Sequence, residues 1–376
     1  MRASRAIIHL DNLKKNLDAV RQKIGPVPSP AHTPAPPKIC FSVKADAYGH
    51  GAVPVARYAL EKGADCLAIA MVSEGIELRQ AGNDSKVFLL SQALPEEIDD
   101  IVNADLIPLV SDRDFINALA ASAKKQLEVH LKIDTGMGRL GCNPLEAAEL
   151  AALISKAKNL RLGGIATHLS VADSTEPENM AYTKKQIACF RETVDQVRRA
   201  GIDPGELHTA CSGAVCFHEE SYFDMVRPGL MLYGYLPIPG IPNGLVLEPV
   251  MELRSSVVHI KKAIAGEEIS YGRTWKALED TFIGVLPIGY ADGLPRLLSN
   301  QYSVLIRGKS YPLVGRICMD QCMVNLGNSG EVQRWDEAII FGSGFTNADD
   351  IARRAGTIPY EILCNINKRV PRVYLK

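Results

Sequence analysis

The chain has 376 residues, of which 47% are hydrophobic and 23% charged, and its formal net charge is −1 at pH 7. This length predicts two domains, and the near-neutral charge argues against binding to nucleic acid or to an anionic membrane surface. The N-terminal apolar run, residues 6–8, is too short for a secretory signal or a membrane span, so we expect a cytoplasmic protein.

Cysteine usage argues against a disulfide framework and against a zinc site. The nine cysteines are an odd number scattered through apolar contexts, and no C-x-x-C pair occurs. The close pairs, Cys211 with Cys216 and Cys318 with Cys322, have no histidine at zinc-finger spacing. We therefore expect free thiols in a reducing cytosol and no bound metal.

The first predicted element is a helix over residues 11–24, in which Leu13, Leu17 and Val20 recur at helical spacing. Residues 25–37 follow with six prolines in thirteen positions, a composition that can neither pair in a sheet nor continue a helix. We interpret this segment as an exposed loop inserted into the domain, rather than as a ligand for a partner.

From residue 38 onward, strand-like segments alternate with helical ones until residue 227. Such alternation predicts a parallel sheet, and eight units of this length predict a closed (β/α)8 barrel rather than an open doubly wound sheet. The predicted strands are 38–44, 66–70, 87–90, 106–110, 127–134, 162–169, 206–210 and 225–227. The predicted helices between them are 53–62, 73–81, 95–103, 112–125, 144–156 and 178–200.

A stretch rich in proline and glycine, residues 237–242, ends this alternation. Beyond it, Gly-rich turns separate the candidate strands 251–264, 282–287, 302–306, 310–314, 321–325 and 338–341, and one short helix is predicted over 347–355. The predicted fold class is therefore α/β. An N-terminal TIM-like barrel over residues 1–237 is followed by a C-terminal mainly-β domain over residues 238–376.

Residues capable of chemistry stand where the predicted barrel strands end. A barrel places its chemistry at the carboxyl ends of its strands, and its phosphate site after the seventh and eighth strands. Lys44 ends an apolar run, and an amine in an apolar pocket has a lowered pKa and forms Schiff bases with aldehydes. The other candidates at these ends are Lys132, Arg139, His168, Ser212 and Arg227. A lysine, two arginines, a histidine and a phosphate cradle on one face describe a pyridoxal phosphate site.

Each of these residues has an ordinary structural explanation when it is taken alone. Lys44 could extend from a strand end into water, and His168 could be a satisfied core histidine. Ser212 could cap a helix, and Arg227 and Lys132 could face solvent. Their coincidence at five different strand ends is what favours a cofactor site.

Seven motifs resemble, in order, the motif series of bacterial alanine racemases: SVKADAYGHG, KIDTGMGRLG, VRPGLMLYG, SYGRTW, PIGYADG, GRICMD and IPYEILC. The resemblance runs from about residue 5 to the C-terminus and is interrupted mainly by the proline-rich loop. It implies a pyridoxal phosphate-dependent isomerase that interconverts L-alanine and D-alanine and supplies D-alanine for peptidoglycan.

The resemblance also implies roles for individual residues. Lys44 would bind the cofactor covalently, and Tyr271 would be the second catalytic base. Arg227 would meet the pyridine nitrogen, and Arg139 the phenolic oxygen of the cofactor and the substrate carboxylate. Lys132 would carry a carbamate that holds Arg139 in place.

Further cofactor contacts are implied at Tyr48, Ser212, Gly229 and Tyr360, all around the phosphate. His168 would link Tyr271 to Arg227. Lysine and tyrosine side chains titrate near pH 10 in water, so both bases need help to act at neutral pH. We expect a positively charged His168 to provide that help to Tyr271.

On the substrate side, the resemblance implies contacts from Met319 and Asp320 and a gate at Tyr290. It also implies a head-to-tail homodimer with shared active sites, in which Tyr271, Tyr290 and Met319 come from the partner chain. Two positions depart from the family pattern. Cys211 stands where asparagine or aspartate is usual, and Asp46 where asparagine is common.

Three alternatives remain open on the sequence. A barrel decarboxylase would need an acidic partner for the pyridine nitrogen, whereas Arg227 stands at that position. A non-catalytic pyridoxal phosphate-binding protein would have no second domain, whereas residues 238–376 form one. A racemase acting on serine or basic amino acids, or one of broad specificity, is compatible with every motif.

Overall fold

The computed structural model describes residues 3–25, 36–238, 240, 244–342 and 344–376. They form two compact units. The barrel unit comprises Lys14–Ala47 and Ala52–Leu247, and the C-terminal unit comprises the residues up to Leu13, Tyr48–Gly51 and Glu248–Lys376. Most of the predicted proline-rich loop, residues 26–35, and part of the predicted bridge between the domains lie outside the described residues.

Eight parallel strands form a nearly closed barrel in the described part of the barrel unit, which confirms the predicted fold. Each strand lies beside the next one in the chain, and the eighth lies beside the first. In chain order they are Lys38–Ser42, Cys66–Ile69, Val87–Leu89, Ile107–Val110, Leu127–Lys132, Leu160–Ala166, Glu206–His208 and Met225–Val226. Between the seventh and eighth strands, the isolated bridge of Cys211 with Arg227 completes the circle.

Helices follow the strands, as the alternation predicts. They are Ala52–Glu61, Val72–Gln80, Ile98–Asn103, Arg113–Ser122, Ala147–Lys156, Pro177–Arg199 and Ser212–Phe217. Arg113–Ser122, for example, has the N-cap and the single buried apolar face that are typical of surface helices. The Asp112 side chain accepts a hydrogen bond from Phe115 N at the N-cap, and one face buries Phe115, Ile116 and Leu119. No helix among the described residues is long and apolar enough to cross a membrane.

One end of the barrel interior is closed by small and aromatic side chains. This cluster consists of Cys40, Cys66, Ala68, Phe88, Ile107 and Met225, none more than 5% exposed. The two cysteines act here as small hydrophobes, and the pKa of Cys66 lies well above its usual value because its protonated thiol is hydrogen-bonded to Cys40 and is buried. The polar interior described below rests on this apolar layer.

A nine-stranded sheet forms the core of the C-terminal unit as the structure describes it. Its strands are Arg5–His9, Met251–Ser256, His259–Ala263, Thr281–Leu286, Ser303–Ile306, Lys309–Val314, Cys322–Gly327, Glu337–Phe341 and Arg372–Leu375. The helices Ala348–Ala355 and Pro359–Cys364 complete the unit. Asn347 caps the first of these with a hydrogen bond from Asp350 N, so the predicted helix 347–355 begins at its cap.

The predicted strand 251–264 is two strands, because the chain changes partners in the middle. Met251–Ser256 pairs with Glu337–Phe341, whereas His259–Ala263 pairs with Thr281–Leu286. Between them, Val257 N donates to Asp336 O, and Val258 N to Val285 O. The continuous apolar pattern conceals this exchange of partners, which depends on contacts distant in sequence.

The strand Arg5–His9 lies inside the sheet of the C-terminal unit. It pairs antiparallel with Met251–Ser256 and parallel with Arg372–Leu375. The sequence leaves both terminal strands unassigned, because short apolar runs acquire strand structure only through partners. The prediction of domains at 1–237 and 238–376 stays a prediction.

Candidate active site

Lys44 stands just beyond the first barrel strand, half-buried, at the start of a left-handed turn. Residues 45–48 all have positive φ, between 51° and 54°, a conformation that costs a non-glycine residue about 1–2 kcal/mol. A hydrogen bond from Ala45 N to Glu74 Oε1, 2.6 Å long, helps to hold the turn. Strained backbone that is held in this way often marks a functional site. The strand itself ends at Ser42, two residues before its predicted end.

The departure at Asp46 has a structural use. Its Oδ1 accepts a 2.8 Å hydrogen bond from Ala52 N, the first residue of the helix Ala52–Glu61. A carboxylate at a helix N-terminus interacts favourably with the helix dipole. The extra negative charge near Lys44 therefore has a hydrogen-bond donor, the backbone amide of Ala52.

Arg227 is 7% exposed at the end of the eighth strand, and its guanidinium is held on two sides. Nη1 donates to His208 Nδ1 at 2.7 Å. Nη2 donates to the carbonyls of Thr167 at 2.7 Å and Thr209 at 3.2 Å. Burial lowers the pKa of Arg227 below its usual value, but an arginine remains charged near neutral pH. Cys211, which departs from the family pattern, lies beside Arg227 and forms an isolated β-bridge with it.

A chain of hydrogen bonds runs from Arg227 through the barrel interior. It consists of two histidines and a glutamate that the sequence analysis did not identify. His208 Nε2 lies 2.8 Å from His130 Nδ1, and His130 Nε2 lies 3.3 Å from Glu128 Oε1. Both imidazoles are fully buried. Glu128, His130 and Lys132 alternate along one strand and so share a face. This alternation of ionisable residues along a predicted barrel strand could have indicated a polar cluster inside the barrel. We term Glu128, His130, His208 and Arg227 the histidine relay.

Lys132 is 8% exposed, and its surroundings are positive. Burial, Arg227 and Arg139 hold the pKa of Lys132 well below 10.5, against a weaker opposite effect of Asp134. A lysine in this setting loses its proton at lower pH than an exposed one.

His168 is held neutral rather than positive. Burial, followed by Arg227, Lys132, Arg139 and Lys44, lowers the pKa of His168 well below 6.5. The expectation of a positively charged His168 is therefore wrong for the single chain, because the positive neighbours disfavour a second proton on this half-buried imidazole. Among the described residues, the histidine that bonds to the Arg227 side chain is His208.

The loop that carries Arg139 is organised by Asp134. The Asp134 carboxylate accepts hydrogen bonds from the backbone N–H groups of Gly136, Met137 and Gly138, at 2.8–3.1 Å. Burial raises the pKa of Asp134, but these three donors outweigh it and lower the pKa below 3.8. Arg139 itself is exposed at the end of this loop.

Asp134→Ala should lower the free energy of unfolding by about 1.5 kcal/mol at pH 7, because three loop amides lose a charged acceptor. A carboxyl with a depressed folded pKa stabilises above its unfolded value, near 3.8, and loses that contribution as pH falls through the folded pKa. The difference from the parent chain, measured by urea unfolding at several pH values, should therefore shrink in acid. Asp195→Ala, which removes a surface carboxylate paired with Arg198, should change little. A pH-independent difference would contradict this account.

The predicted phosphate cradle has a hydroxyl and an amide already facing each other. Gly229 N donates to Ser212 Oγ at 3.0 Å, and both residues are buried. Next to them, Gly213 packs so closely on Ala172 that a Cβ would lie 2.8 Å from its carbonyl carbon and oxygen. The segments after the seventh and eighth barrel strands thus place the Ser212 hydroxyl beside the Gly229 amide, and Gly213 has no space for a side chain.

The remaining predicted residues belong to the C-terminal unit. Tyr48 and Tyr360 meet there, with ring centroids 5.8 Å apart. The turn at Tyr290 is joined to the turn at Met319, since Tyr290 N donates to Cys318 O and Ala291 N to Met319 O, each at 3.0 Å. Four predicted side chains of this unit are exposed: Tyr271 by 72%, Met319 by 53%, Tyr290 by 43% and Asp320 by 57%.

Arg369 ties two of these turns together. Its Nε donates to buried Asp292 at 2.8 Å, and its Nη2 pairs with Asp320. Tyr271 follows Ser270, whose φ is 70° and whose Oγ donates to Arg316 O at 2.7 Å. The predicted residues therefore form two sets, one in each unit.

Comparison with known proteins identifies the same family over both units. The family described as "Alanine racemase, N-terminal domain" matches residues 8–237, and "Alanine racemase, C-terminal domain" matches residues 250–374. Alanine racemases of Treponema denticola and Treponema pallidum are 48% and 43% identical to the chain. Each alignment covers 100% of this chain, with 99% of the first protein and 100% of the second.

Solved structures agree with this result. The alanine racemase of Clostridium difficile 630 has a TM-score of 0.92 at 36% identity, covering 100% of this chain and 96% of that one. The alanine racemase of Bacillus anthracis, solved with bound L-Ala-P, has a TM-score of 0.90 at 32% identity and the same coverage. The structural similarity covers both the barrel unit and the C-terminal unit.

Proposed function

The chain belongs to the alanine racemase family, and from this membership we propose that it interconverts L-alanine and D-alanine by a two-base mechanism with pyridoxal phosphate. The enzyme class, an isomerase, follows from the family itself. The observation that supports the site most directly is the set of donors at the carboxyl ends of the barrel strands. Lys44, Arg227, Ser212 and Gly229 stand at the strand ends where the chemistry of a barrel belongs.

This donor set fits pyridoxal phosphate. A half-buried amine at Lys44 can bond covalently to the aldehyde. The hydroxyl of Ser212 and the amide of Gly229 can hold phosphate oxygens, and Tyr48 with Tyr360 would add contacts to them. The chemistry that the cofactor supplies when bound is the acidification of the α-proton of an attached amino acid.

Arg227 would donate a hydrogen bond to the ring nitrogen of the cofactor. The guanidinium cannot give up its proton near neutral pH, so the nitrogen that it meets acts as an acceptor. Bonds to the His208 imidazole and to the Thr167 carbonyl fix the plane of the guanidinium. We therefore assign Arg227 the role of restraining the electron-withdrawing power of the ring, which favours return of the proton over side reactions.

Lys44 and Tyr271 would exchange protons with the substrate from opposite faces. One base takes the α-proton, and the other returns a proton to the other face, so neither side chain has to cross the substrate. Arg139, with Met319 and Asp320, would hold the substrate carboxylate in place. Tyr290 would narrow the entrance.

A homodimer with shared sites is part of this proposal. Tyr271, Met319 and Tyr290 are substantially exposed in the single chain, whereas a proton-transfer site needs to exclude water. A second copy that covers these residues would satisfy that requirement. We place the enzyme in the cytoplasm, where D-alanine would be supplied for peptidoglycan.

Lys132 is proposed to carry a carbamate. Its lowered pKa favours the neutral amine, the form whose nitrogen attacks carbon dioxide. A nitrogen–carbon bond forms, one N–H proton passes to solvent, and the new carboxylate can accept hydrogen bonds from Arg139. The modification would replace a repulsive neighbour of two arginines by an attractive one.

When the enzyme is equilibrated with 13C-bicarbonate, we expect a carbamate carbon signal to appear in its NMR spectrum. Lys132→Met should remove the signal and lower turnover roughly tenfold, because Arg139 loses a charged partner. Lys156→Met, at the exposed end of the helix Ala147–Lys156, should keep both the signal and the activity. A signal that survives in Lys132→Met would place the carbamate elsewhere.

The proposed function is tested by purifying the protein, recording its absorbance for bound pyridoxal phosphate and measuring L-to-D conversion. Alanine, serine, lysine and arginine should be compared as substrates. We expect alanine to be racemised fastest. Absence of conversion of all four by cofactor-loaded enzyme would refute the proposal, and faster conversion of serine or a basic amino acid would redirect it to another substrate.

A further inference from the structure

With Glu128 in place, the histidine relay has one arrangement of protons that satisfies all of its hydrogen bonds. Arginine can only donate, so His208 Nδ1 must accept from Arg227 Nη1 over 2.7 Å. Burial and Arg227 hold the pKa of His208 well below 6.5, so the imidazole is neutral and carries its proton on Nε2. That proton is donated to His130 Nδ1, 2.8 Å away, and His130 must then carry its own proton on Nε2.

Glu128 ends the relay with a permanent negative charge. Its Oε1 lies 3.3 Å from His130 Nε2 and accepts that proton's hydrogen bond. Partial burial raises the pKa of Glu128, but the bonds from His130 and Lys86 and the charges of Lys86 and Arg161 lower it to about 2. The carboxylate therefore stays ionised over the whole range in which the protein would work.

The central imidazole, His130, is closely packed on two sides. A Cβ at Gly164 would lie 2.4 Å from His130 Nδ1 and Cε1 and 2.3 Å from the Glu206 carbonyl oxygen. On its other side, the His130 ring meets the Phe88 ring edge-on, with centroids 4.9 Å apart. His208 packs on Phe88 in the same manner at 5.8 Å. Steric contacts thus fix where the rings lie, while hydrogen bonds fix which nitrogen carries the proton.

We propose that Glu128 is a positioning residue for Arg227. Its carboxylate holds His130 and His208 in the Nε2–H form, so that His208 presents a bare Nδ1 to the guanidinium. Without Glu128, His130 can shift its proton to Nδ1. His208 must then turn a proton toward Arg227, which breaks the 2.7 Å hydrogen bond. The consequence for catalysis rests on the proposed function, in which Arg227 meets the ring nitrogen of the cofactor.

The test uses the cofactor-loaded enzyme with 15N-labelled histidine and the variant Glu128→Leu. In the parent enzyme, the His130 and His208 signals should each show a protonated Nε2 and a bare Nδ1. In Glu128→Leu, His130 should show a mixture of both forms, and turnover of alanine should fall roughly tenfold with little change in KM. Glu128→Gln keeps an oxygen acceptor without the charge, so its loss should be smaller.

Glu149→Gln is the matched control, because it removes a glutamate that pairs with an arginine on the exposed surface. It should leave the histidine signals and turnover unchanged. A Glu128→Leu enzyme with lowered stability but unchanged histidine signals and turnover would overturn the proposal and leave Glu128 a structural role. Should Glu128→Leu fail to fold, histidine signals in Glu128→Gln that match the parent at equal turnover would overturn it as well. The NMR result is independent of racemisation, so failure of the proposed function and failure of the relay are distinguishable.

Discussion

Replacing Lys44 by alanine should abolish racemisation, with turnover reduced by at least about a thousandfold. Lys44 has two proposed tasks, the covalent attachment of the cofactor and proton transfer on one face, and alanine can perform neither. The left-handed turn that follows should survive, since its described bonds to Glu74 and Ala52 are made by neighbouring residues. The loss would therefore report on the missing amine rather than on the fold.

The measurement is reduction with borohydride followed by mass spectrometry of the peptides. The parent enzyme should carry the cofactor on the peptide that contains Lys44, and Lys44→Ala should carry none. Lys14→Ala removes an exposed lysine that pairs with Asp18 and serves as the control. Cofactor found on another residue, such as Lys132, or activity within tenfold of the parent, would contradict the assignment.

Tyr271→Phe should lower racemisation in both directions by roughly a hundredfold to ten-thousandfold, the usual range for a general base. Both directions must fall together, because the equilibrium between enantiomers is set by the substrates and not by the enzyme. What separates the two bases is exchange of the α-proton with deuterated water. One enantiomer, whose proton is taken by Lys44, should continue to exchange, and the other should stop.

Proton NMR of each enantiomer incubated with the variant in deuterated water provides the measurement. Tyr311→Phe is the control, since this tyrosine lies on the strand Lys309–Val314 and has no proposed chemical role. If exchange persists equally for both enantiomers, or stops equally for both, Tyr271 is not a base that serves one face.

The barrel was predictable because its signal is local. Alternating helix and strand patterns, helix caps such as Asp112 and polar residues at strand ends are all visible within short windows of sequence. Lys44 could be recognised as unusual because a lysine at the end of an apolar run is costly without partners. The seven motifs then connected it to residues far away in the chain.

The histidine relay could not be predicted in the same way. Whether His130 is an ordinary core histidine depends on His208, which is 78 positions away and reaches it only through the curvature of the barrel. The neutral state of His168 likewise depends on partial burial and on four cations that lie at the ends of three different barrel strands. Protonation is set by three-dimensional surroundings, so the sequence supports expectations about which residues participate better than expectations about their charge.

The strand Arg5–His9 has a consequence for the order in which the molecule folds. Its parallel partner, Arg372–Leu375, is made much later, so the register of Ala6 with Arg372 joins positions that are far apart in the chain. Closing so large a loop is slow, and the barrel unit can form its local strand–helix contacts well before this happens. The sheet that supports Tyr271 is therefore completed after the barrel unit has formed its local contacts. Until Arg372–Leu375 has left the ribosome, the growing enzyme has its lysine but not the complete sheet that supports its tyrosine.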